Sequence, residues 1–276
     1  LKESFSAELP QWAVNWMREK YQHQPHLVCD PFLGGGTTGV ALGLSGLQVS
    51  GIEYNPFIRF VAETKAASTC MSIDGFADSI AHLSGLSIQK FGHSLPELTT
   101  FHNSQYSPPE NIQYLLGVLA AIDELDVNGL TKQALRLGVA SAVEDAVHLH
   151  KDGRALRYQR KTMTTPLERI VAERWRSMLQ DVRDLRQDIP RRDTPLYSVF
   201  AGSAIATEKL KSTDGGDVSF GDNEFDTSIF SPPYVNSFDY SEVYKLELWL
   251  LGYIDSYENW LKLRRGTLRS HPAIVF

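Results

Sequence analysis

Asp30-Pro31-Phe32-Leu33-Gly34-Gly35-Gly36-Thr37-Thr38 is the stretch on which the reading of this chain turns. Ahead of it lies a short apolar run, Leu27 to Cys29. Behind it, Thr37 to Leu44 has the composition of a helix stopped by Gly46, and Gln48 to Glu53 reads as a second strand. Strand, glycine turn, helix, strand is the opening of a doubly wound α/β fold. Glycine permits positive φ and close approach of the backbone to a ligand, and an acid ending the next strand, here Glu53, can accept both hydroxyls of a ribose. Gly34, Gly36 and Gly39 also satisfy the GxGxxG pattern, so a nicotinamide-binding domain is the competing reading. Asp30 separates the two. An acid just before the turn repels a pyrophosphate and suits a ligand that carries an ammonium group and a sulfonium.

Much farther along, Phe225 to Phe230 reads as a strand running straight into Ser231-Pro232-Pro233-Tyr234. Consecutive prolines fix φ and lack amide hydrogens, so the corner is rigid. Its carbonyls, beside the Ser231 hydroxyl, make a preorganised acceptor set for an exocyclic NH2, and Tyr234 can stack on a flipped base. Such an amine is a poor nucleophile because its lone pair is delocalised into the ring. Hydrogen bonds that draw the nitrogen toward tetrahedral geometry therefore favour the transition state. A proline-terminated strand with a buried Tyr is the bland alternative, and the glycine turn is what favours a site.

The two motifs resemble those of the amino-methylating DNA methyltransferases, which use S-adenosylmethionine to modify cytosine N4 or adenine N6. The Ser form of the tetrapeptide is more usual in the cytosine-N4 branch, and Asn236-Ser237-Phe238-Asp239-Tyr240 followed by a helix is similar to that branch too. The resemblance covers roughly residues 8 to 66 and 196 to 254. It implies that Asp30, Pro31, Phe32, Gly34, Gly36, Thr37 and Thr38 surround the methionine part of the cofactor. Glu53 would bind its ribose, and Tyr54, Asn55 and the residues up to Phe57 would flank its adenine. Ser231, Pro232, Pro233 and Tyr234 would hold the target base. Where the family carries Gly-Asp-Ala, this chain has Gly202-Ser203-Ala204, which leaves Ser203 at the adenine position. The implied activity is methyl transfer to DNA in the cytoplasm, with a restriction or defence partner. The alternatives are adenine-N6 transfer, transfer to a guanine amino group of RNA, and an idle DNA-recognition or nucleotide-binding subunit. The RNA enzymes place the proline pair much nearer the glycine turn, which disfavours that reading.

This order of motifs predicts three regions: 1–72 as the first half of the core, 73–195 as a helical insertion for target recognition, and 196–276 as the second half. The few residues after Tyr234 suggest a core incomplete at its C-terminal end, and Leu1 in place of Met suggests a trimmed or partial chain. A first helix is expected where Leu9, Trp12, Ala13, Trp16 and Met17 recur after Pro10. In the insertion, Ile112, Leu115, Leu116, Leu119 and Ile122 form one apolar stripe. Leu167, Ile170, Val171, Trp175, Met178, Val182 and Leu185 form another. Strands return at Tyr197 to Phe200 and before Ser231, and Glu242 to Ile254 reads as an apolar helix.

A net charge of −6 gives no global pull toward nucleic acid, so any contact with it must be local. Lys151, Arg154, Arg157, Tyr158, Arg160 and Lys161 form the best basic cluster, able to track phosphates or stack on a displaced base, or else simply a solvated loop. Arg264 and Arg265, with Arg269 and His271, are a second candidate. The arginines of 169–186 alternate with acids, the pattern of a salt-bridged helix. His148 and His150 read as helix-end residues, and with Cys29 and Cys70 alone no metal-ligand spacing exists. Cys29 reads as a buried small hydrophobe, against cytosine-C5 chemistry. Tyr244, Trp249, Tyr253, Tyr257 and Trp260 read as core packing. No run of about eighteen apolar residues marks a membrane span.

Overall fold

A helix over Glu8–Tyr21 (α1) leads into β1 (Leu27–Asp30), α2 (Thr37–Leu44), β2 (Gln48–Glu53) and α3 (Pro56–Ala67), the alternation that the glycine-turn region predicts. The computed structural model describes residues 6–88, 94–152, 155–233 and 239–267. Next come α4 (Ile73–Ser84), α5 (Thr99–His102), α6 (Pro109–Glu124), α7 (Gly129–Ser141), the strands β3 (Leu149–Lys151) and β4 (Leu156–Tyr158), and α8 (Leu167–Asp188). Short strands β5 (Ser198–Ala201), β6 (Leu210–Lys211), β7 (Asp217–Val218) and β8 (Thr227–Ser228) precede α9 (Tyr240–Val243), α10 (Lys245–Leu250) and α11 (Tyr257–Gly266). The chain divides into two compact units: residues 1–70, 192–237 and 265–276, and residues 71–191 and 238–264. The stretch 238–264, expected to belong with the second half of the core, groups with the middle region instead.

Among the described residues, the first unit holds a six-stranded sheet of order β7-β6-β5-β2-β1-β8. The central four, β5, β2, β1 and β8, run parallel. The strands β6 and β7 add antiparallel at one edge. This is a Rossmann-like α/β sheet, and the chain reverses its direction of growth at β1, with β2 and β5 on one side and β8 on the other. In open α/β sheets the crevice beyond the carboxyl ends of the strands at such a reversal is the usual ligand position.

The core under this sheet is built from Val28, Leu33, Leu42, Val49, Ala66, Leu196, Tyr197 and Val199. The helix α2 comes unusually close to the segment entering β5. A Cβ on Gly39 would stand 2.5 Å from the Tyr197 ring, and one on Gly43 would stand 2.8 Å from Leu196 Cγ. The Tyr197 hydroxyl donates to the Ala62 carbonyl at 2.7 Å and so holds the ring in place. The third glycine of the motif therefore serves helix packing.

The helix α1 forms as expected but presents a different face. Pro10 and Val14 are buried. Trp12 and Trp16 are 61% and 42% exposed. The two rings stack on each other at 6.3 Å, and Tyr21 meets Trp16 edge-on at 5.0 Å.

The strand expected over Phe225 to Phe230 shrinks to Thr227–Ser228. Asp226 turns its carboxylate onto the amides of His26 and Leu27, at 2.9 and 3.1 Å, and pins β8 beside β1. The expected helix over Glu242 to Ile254 breaks at Tyr244, whose ψ of 20° leaves the helical range, and ends near Gly252 at φ 74°.

In the second unit, α8 packs on α4 and α7. Its predicted stripe is largely inward: Leu167, Val171, Trp175 and Val182 are buried. Trp175 fits against Gly138 and donates its indole N–H to the Leu135 carbonyl at 2.8 Å. On the outer face, Arg169 pairs with Glu173, as expected of a salt-bridged helix. Trp249, Trp260 and Tyr244 are buried, whereas Tyr257 is exposed.

Gly39→Ala isolates the helix-packing constraint. Helix propensity alone favours Ala by about 1 kcal/mol, but overpacking against a fixed ring costs about 1 to 3 kcal/mol. The variant is expected to melt at lower temperature than the parent by thermal denaturation. An unchanged or higher melting temperature would remove the constraint.

Candidate active site

The residues singled out in the sequence lie at the carboxyl ends of the four parallel strands. Asp30 ends β1, Glu53 ends β2, Ser203 follows β5, and Ser231 follows β8 after two intervening residues. Parallel pairing sets Cys29 against Ser228, and the Ile229 amide donates to the Cys29 carbonyl at 3.1 Å. The glycine turn and the Ser-Pro-Pro corner thus leave neighbouring strands in the same direction. The rings of Phe32 and Phe230 touch across the gap, with centroids 5.5 Å apart. Ser231 and Pro233 are half-buried and Pro232 is exposed. Tyr234 lies outside the described residues, as do Arg154, Arg269, His271 and the Asn236–Phe238 part of the family-like continuation.

The turn is shaped by backbone and carboxylate together. Gly34 and Gly36 have φ of 55° and 83°, values that an L side chain rarely adopts. The Glu53 carboxylate accepts from the Gly34 amide at 3.0 Å and from the Asn55 amide at 2.7 Å. Asn55 in turn caps α3 by accepting from the amides of Phe57 and Ile58. That cap puts Phe57 in the core at 3% exposure, while Tyr54 stays at the surface. Lys65 donates to the Gly35 carbonyl at 2.9 Å. No sequence motif marked Lys65; its contact follows from α3 packing alongside the turn.

Burial leaves charge unsatisfied here. Asp30 is fully buried, with one oxygen accepting from the Phe32 amide at 3.0 Å. Its other oxygen, the Thr38 hydroxyl and the Asn55 side-chain nitrogen have no hydrogen-bond partner among the described residues. Desolvation pushes the Asp30 carboxyl up to about 6, opposed by the neighbouring Thr38 hydroxyl and the Phe32 amide, although no hydrogen bond closes between Asp30 and Thr38. Desolvation likewise pushes Glu53 up to about 7 against three amide contacts, and the Asp30 charge adds to the rise. Cys29 is raised to about 11 by burial and by the nearby acids, so it stays a thiol. Three orphaned buried polar atoms around one turn fit a ligand carrying both a cation and hydrogen-bonding groups. Among the described residues no His/Cys/Asp/Glu group could hold a metal ion.

The expected basic cluster is largely drawn inward. Lys151 is 7% exposed and forms an ion pair with Glu247, with its ammonium 4.8 Å from the Tyr244 ring. Lys161 donates to the carbonyls of Glu144 and Leu149 at 2.7 and 2.6 Å. Both lysines are therefore removed from the expected phosphate-tracking surface, which keeps Arg157, Tyr158 and Arg160, all exposed. Arg264 is held by Asp239 at 2.7 Å and lies over the Trp260 ring, while Arg265 is exposed. His150 sits in β3 and His148 just ahead of it, not at a helix end.

The Rossmann-like sheet, with a glycine turn and a proline corner on adjacent parallel strands, is consistent with a methyltransferase-type fold. The chain is 28% identical over 91% of its length to the type II methyltransferase M.BsoBI of Geobacillus stearothermophilus. It is 25% identical over 91% of its length to the type II methyltransferases M.AvaI of a Nostoc species and of Anabaena variabilis. The chain is thus similar to type II methyltransferases over most of its length. The chain spans about half the length of the curated relatives it matches, 51% and 52%. No protein-family model matches it, and no solved structure does.

The raised carboxyls carry a signed consequence. Both folded values exceed the ordinary 3.8 of Asp and 4.5 of Glu, so the folded state binds protons more tightly than the unfolded chain. These groups destabilise the ligand-free protein above about pH 7, and that penalty fades as pH falls. Asp30→Asn and Glu53→Gln are expected to raise the melting temperature at pH 8 and to raise it by a clearly smaller margin at pH 5, where the folded carboxyls are mostly protonated. Equal shifts at both pH values would contradict the assignment.

Proposed function

We propose that this protein transfers a methyl group from S-adenosylmethionine to an exocyclic amino group of a DNA base, with cytosine N4 as the target. The observation that carries the reading is the exit of the glycine turn and the Ser-Pro-Pro corner from paired strands, bridged by Phe32 and Phe230. S-adenosylmethionine, when bound, supplies an electrophilic methyl group on a sulfonium. The half-satisfied Asp30 carboxylate suits its ammonium group, with Thr37, Thr38, Gly34 and Gly36 alongside and Pro31 and Phe32 completing the turn. Each Glu53 oxygen accepts one amide and keeps a lone pair for a ribose hydroxyl. Tyr54 and Asn55 are assigned to the adenine edge, with Ser203 at the strand end opposite.

Ser231 and the Pro232 carbonyl are the acceptors for the base NH2. Holding both N–H bonds draws the nitrogen lone pair out of conjugation and toward the donor. Pro233 keeps the corner rigid, and Tyr234 is assigned to stack on the flipped base. The proton lost from nitrogen after transfer passes to solvent, because a hydroxyl and a carbonyl are too weakly basic to keep it; no covalent enzyme intermediate is needed. A restriction partner recognising the same site, and a cytoplasmic location, follow from the same reading.

The decisive experiment is mass analysis of nucleosides after incubation of DNA with isotopically labelled donor. N4-methylcytosine is the expected product; N6-methyladenine would keep the amino chemistry and correct the base, and label in RNA alone would overturn the DNA reading. Tyr234→Ala is expected to abolish transfer while sparing cofactor affinity. Glu53→Ala should weaken cofactor binding by about 1.5 to 3 kcal/mol through loss of charged hydrogen bonds. Unchanged affinity by calorimetry would remove Glu53 from the site.

A further inference from the structure

The two-stranded sheet of the second unit is anchored far more firmly than a surface hairpin requires. Lys151 at its inner face is buried against Glu247 on α10. Glu144 accepts from the Lys151 amide and meets the His150 ring, each at 3.2 Å. Lys161 closes the far end through the Leu149 and Glu144 carbonyls, and the Gln159 amide donates to the His148 carbonyl at 2.9 Å. A buried ion pair is a weak source of net stability, because desolvation cancels much of the Coulomb gain. Its effect is to fix position.

What this fixed base presents is cationic, polar and aromatic. His150 stands opposite Arg157 in the antiparallel register, and both are exposed. Tyr158, Gln159 and Arg160 continue the exposed run. Tyr158 is 48% exposed, and its ring is held edge-on by Tyr106 at 5.9 Å. The Arg157 guanidinium is 68% exposed and shared with Asp152, a pairing that solvent and salt leave weak. Three residues per strand give a ribbon about 10 Å long. The major groove, about 12 Å wide, admits such a two-stranded ribbon, and Arg, Gln and His side chains carry the donors that read base edges there. In a chain of net charge −6, a local cationic surface of this kind is what contact with a polyanion demands.

We propose that the exposed surface of the β3–β4 ribbon is a duplex-DNA reading surface, with Arg157 and Gln159, on the His150 face, directed to the major groove and Arg160, beyond the end of β4, to a flanking phosphate. The proposal rests on the methyltransferase reading above for its choice of DNA as partner.

The test is fluorescence anisotropy of the full chain with random-sequence duplex DNA across a salt series. Arg157→Gln and Arg160→Gln are each expected to weaken binding and to lower the slope of log affinity against log salt by about one. Asp152→Asn, which removes a carboxylate from the same face, is expected to tighten it. The thermal shift produced by S-adenosylmethionine should be the same in all three variants, which separates this surface from the cofactor site and checks folding. Parental affinity and salt slope in both arginine variants would overturn the ribbon assignment while leaving methyl transfer standing. Preference for single-stranded RNA over duplex DNA would overturn it as well. Failure of the parent chain to methylate any DNA, with the arginine effects intact, would instead overturn the methyltransferase reading.

Discussion

The parallel pairing of β1 with β8 is the constraint on which the candidate site depends. Two strands far apart in sequence are joined by few ladder positions, because β8 is only Thr227–Ser228. Side chains supply the rest of the register. Asp226 takes the amides of His26 and Leu27, the Ser228 hydroxyl donates to the Cys29 carbonyl, and His23 meets Thr227 at 2.7 Å. Shifting this pairing by one residue would turn Thr227 outward and carry the proline corner away from the glycine turn. The low carboxyl value of Asp226 follows from these contacts: its slight burial would raise it, and the Leu27 and His26 amides outweigh that.

Around this pairing the chain spends stability on readiness. Glycines let α2 close onto Tyr197 and Leu196 without side chains of their own, and this fixes the helix that opens from the turn. Two carboxylates that burial makes costly stand at the ends of β1 and β2, close enough for the Asp30 charge to raise Glu53. Among the described residues neither acid forms an ion pair, and one Asp30 oxygen has no hydrogen-bond partner. A hydrophobic pair here would stabilise the ligand-free fold and forfeit its complementarity to a cation.

The parts of the fold governed by local rules were legible in sequence. Thr37–Leu44 and Gln48–Glu53 form as read, because glycine φ, capping and apolar period act within a few residues. What depends on distant partners was not. A run of lysines and arginines does not reveal that Lys151 meets Glu247, ninety-six positions away. Trp12 and Trp16 mark a helix by their spacing, yet which face is buried depends on what α2 presents, and Pro10 and Val14 are the residues turned to the core side. The strands β6 and β7 span two residues each, too short for a period to register. The tyrosine that breaks the expected Glu242–Ile254 helix carries no breaker signal; its neighbours are good helix formers, and the break follows from packing of the α9 and α10 segments.

That break separates two acid–base contacts within the second unit. Asp239, five residues past Tyr234, caps α9 by accepting from the amides of Ser241 and Glu242, and its second oxygen binds Arg264. The break lets α10 turn separately, so Glu247 can point to Lys151 on the ribbon while Asp239 keeps its own partners. Lys151–Glu247 thus ties the ribbon to α10, and Arg264–Asp239 ties the start of α9 to α11. A buried ion pair resists sliding better than an apolar contact does, because each charge has one favourable partner and no solvent to substitute for it.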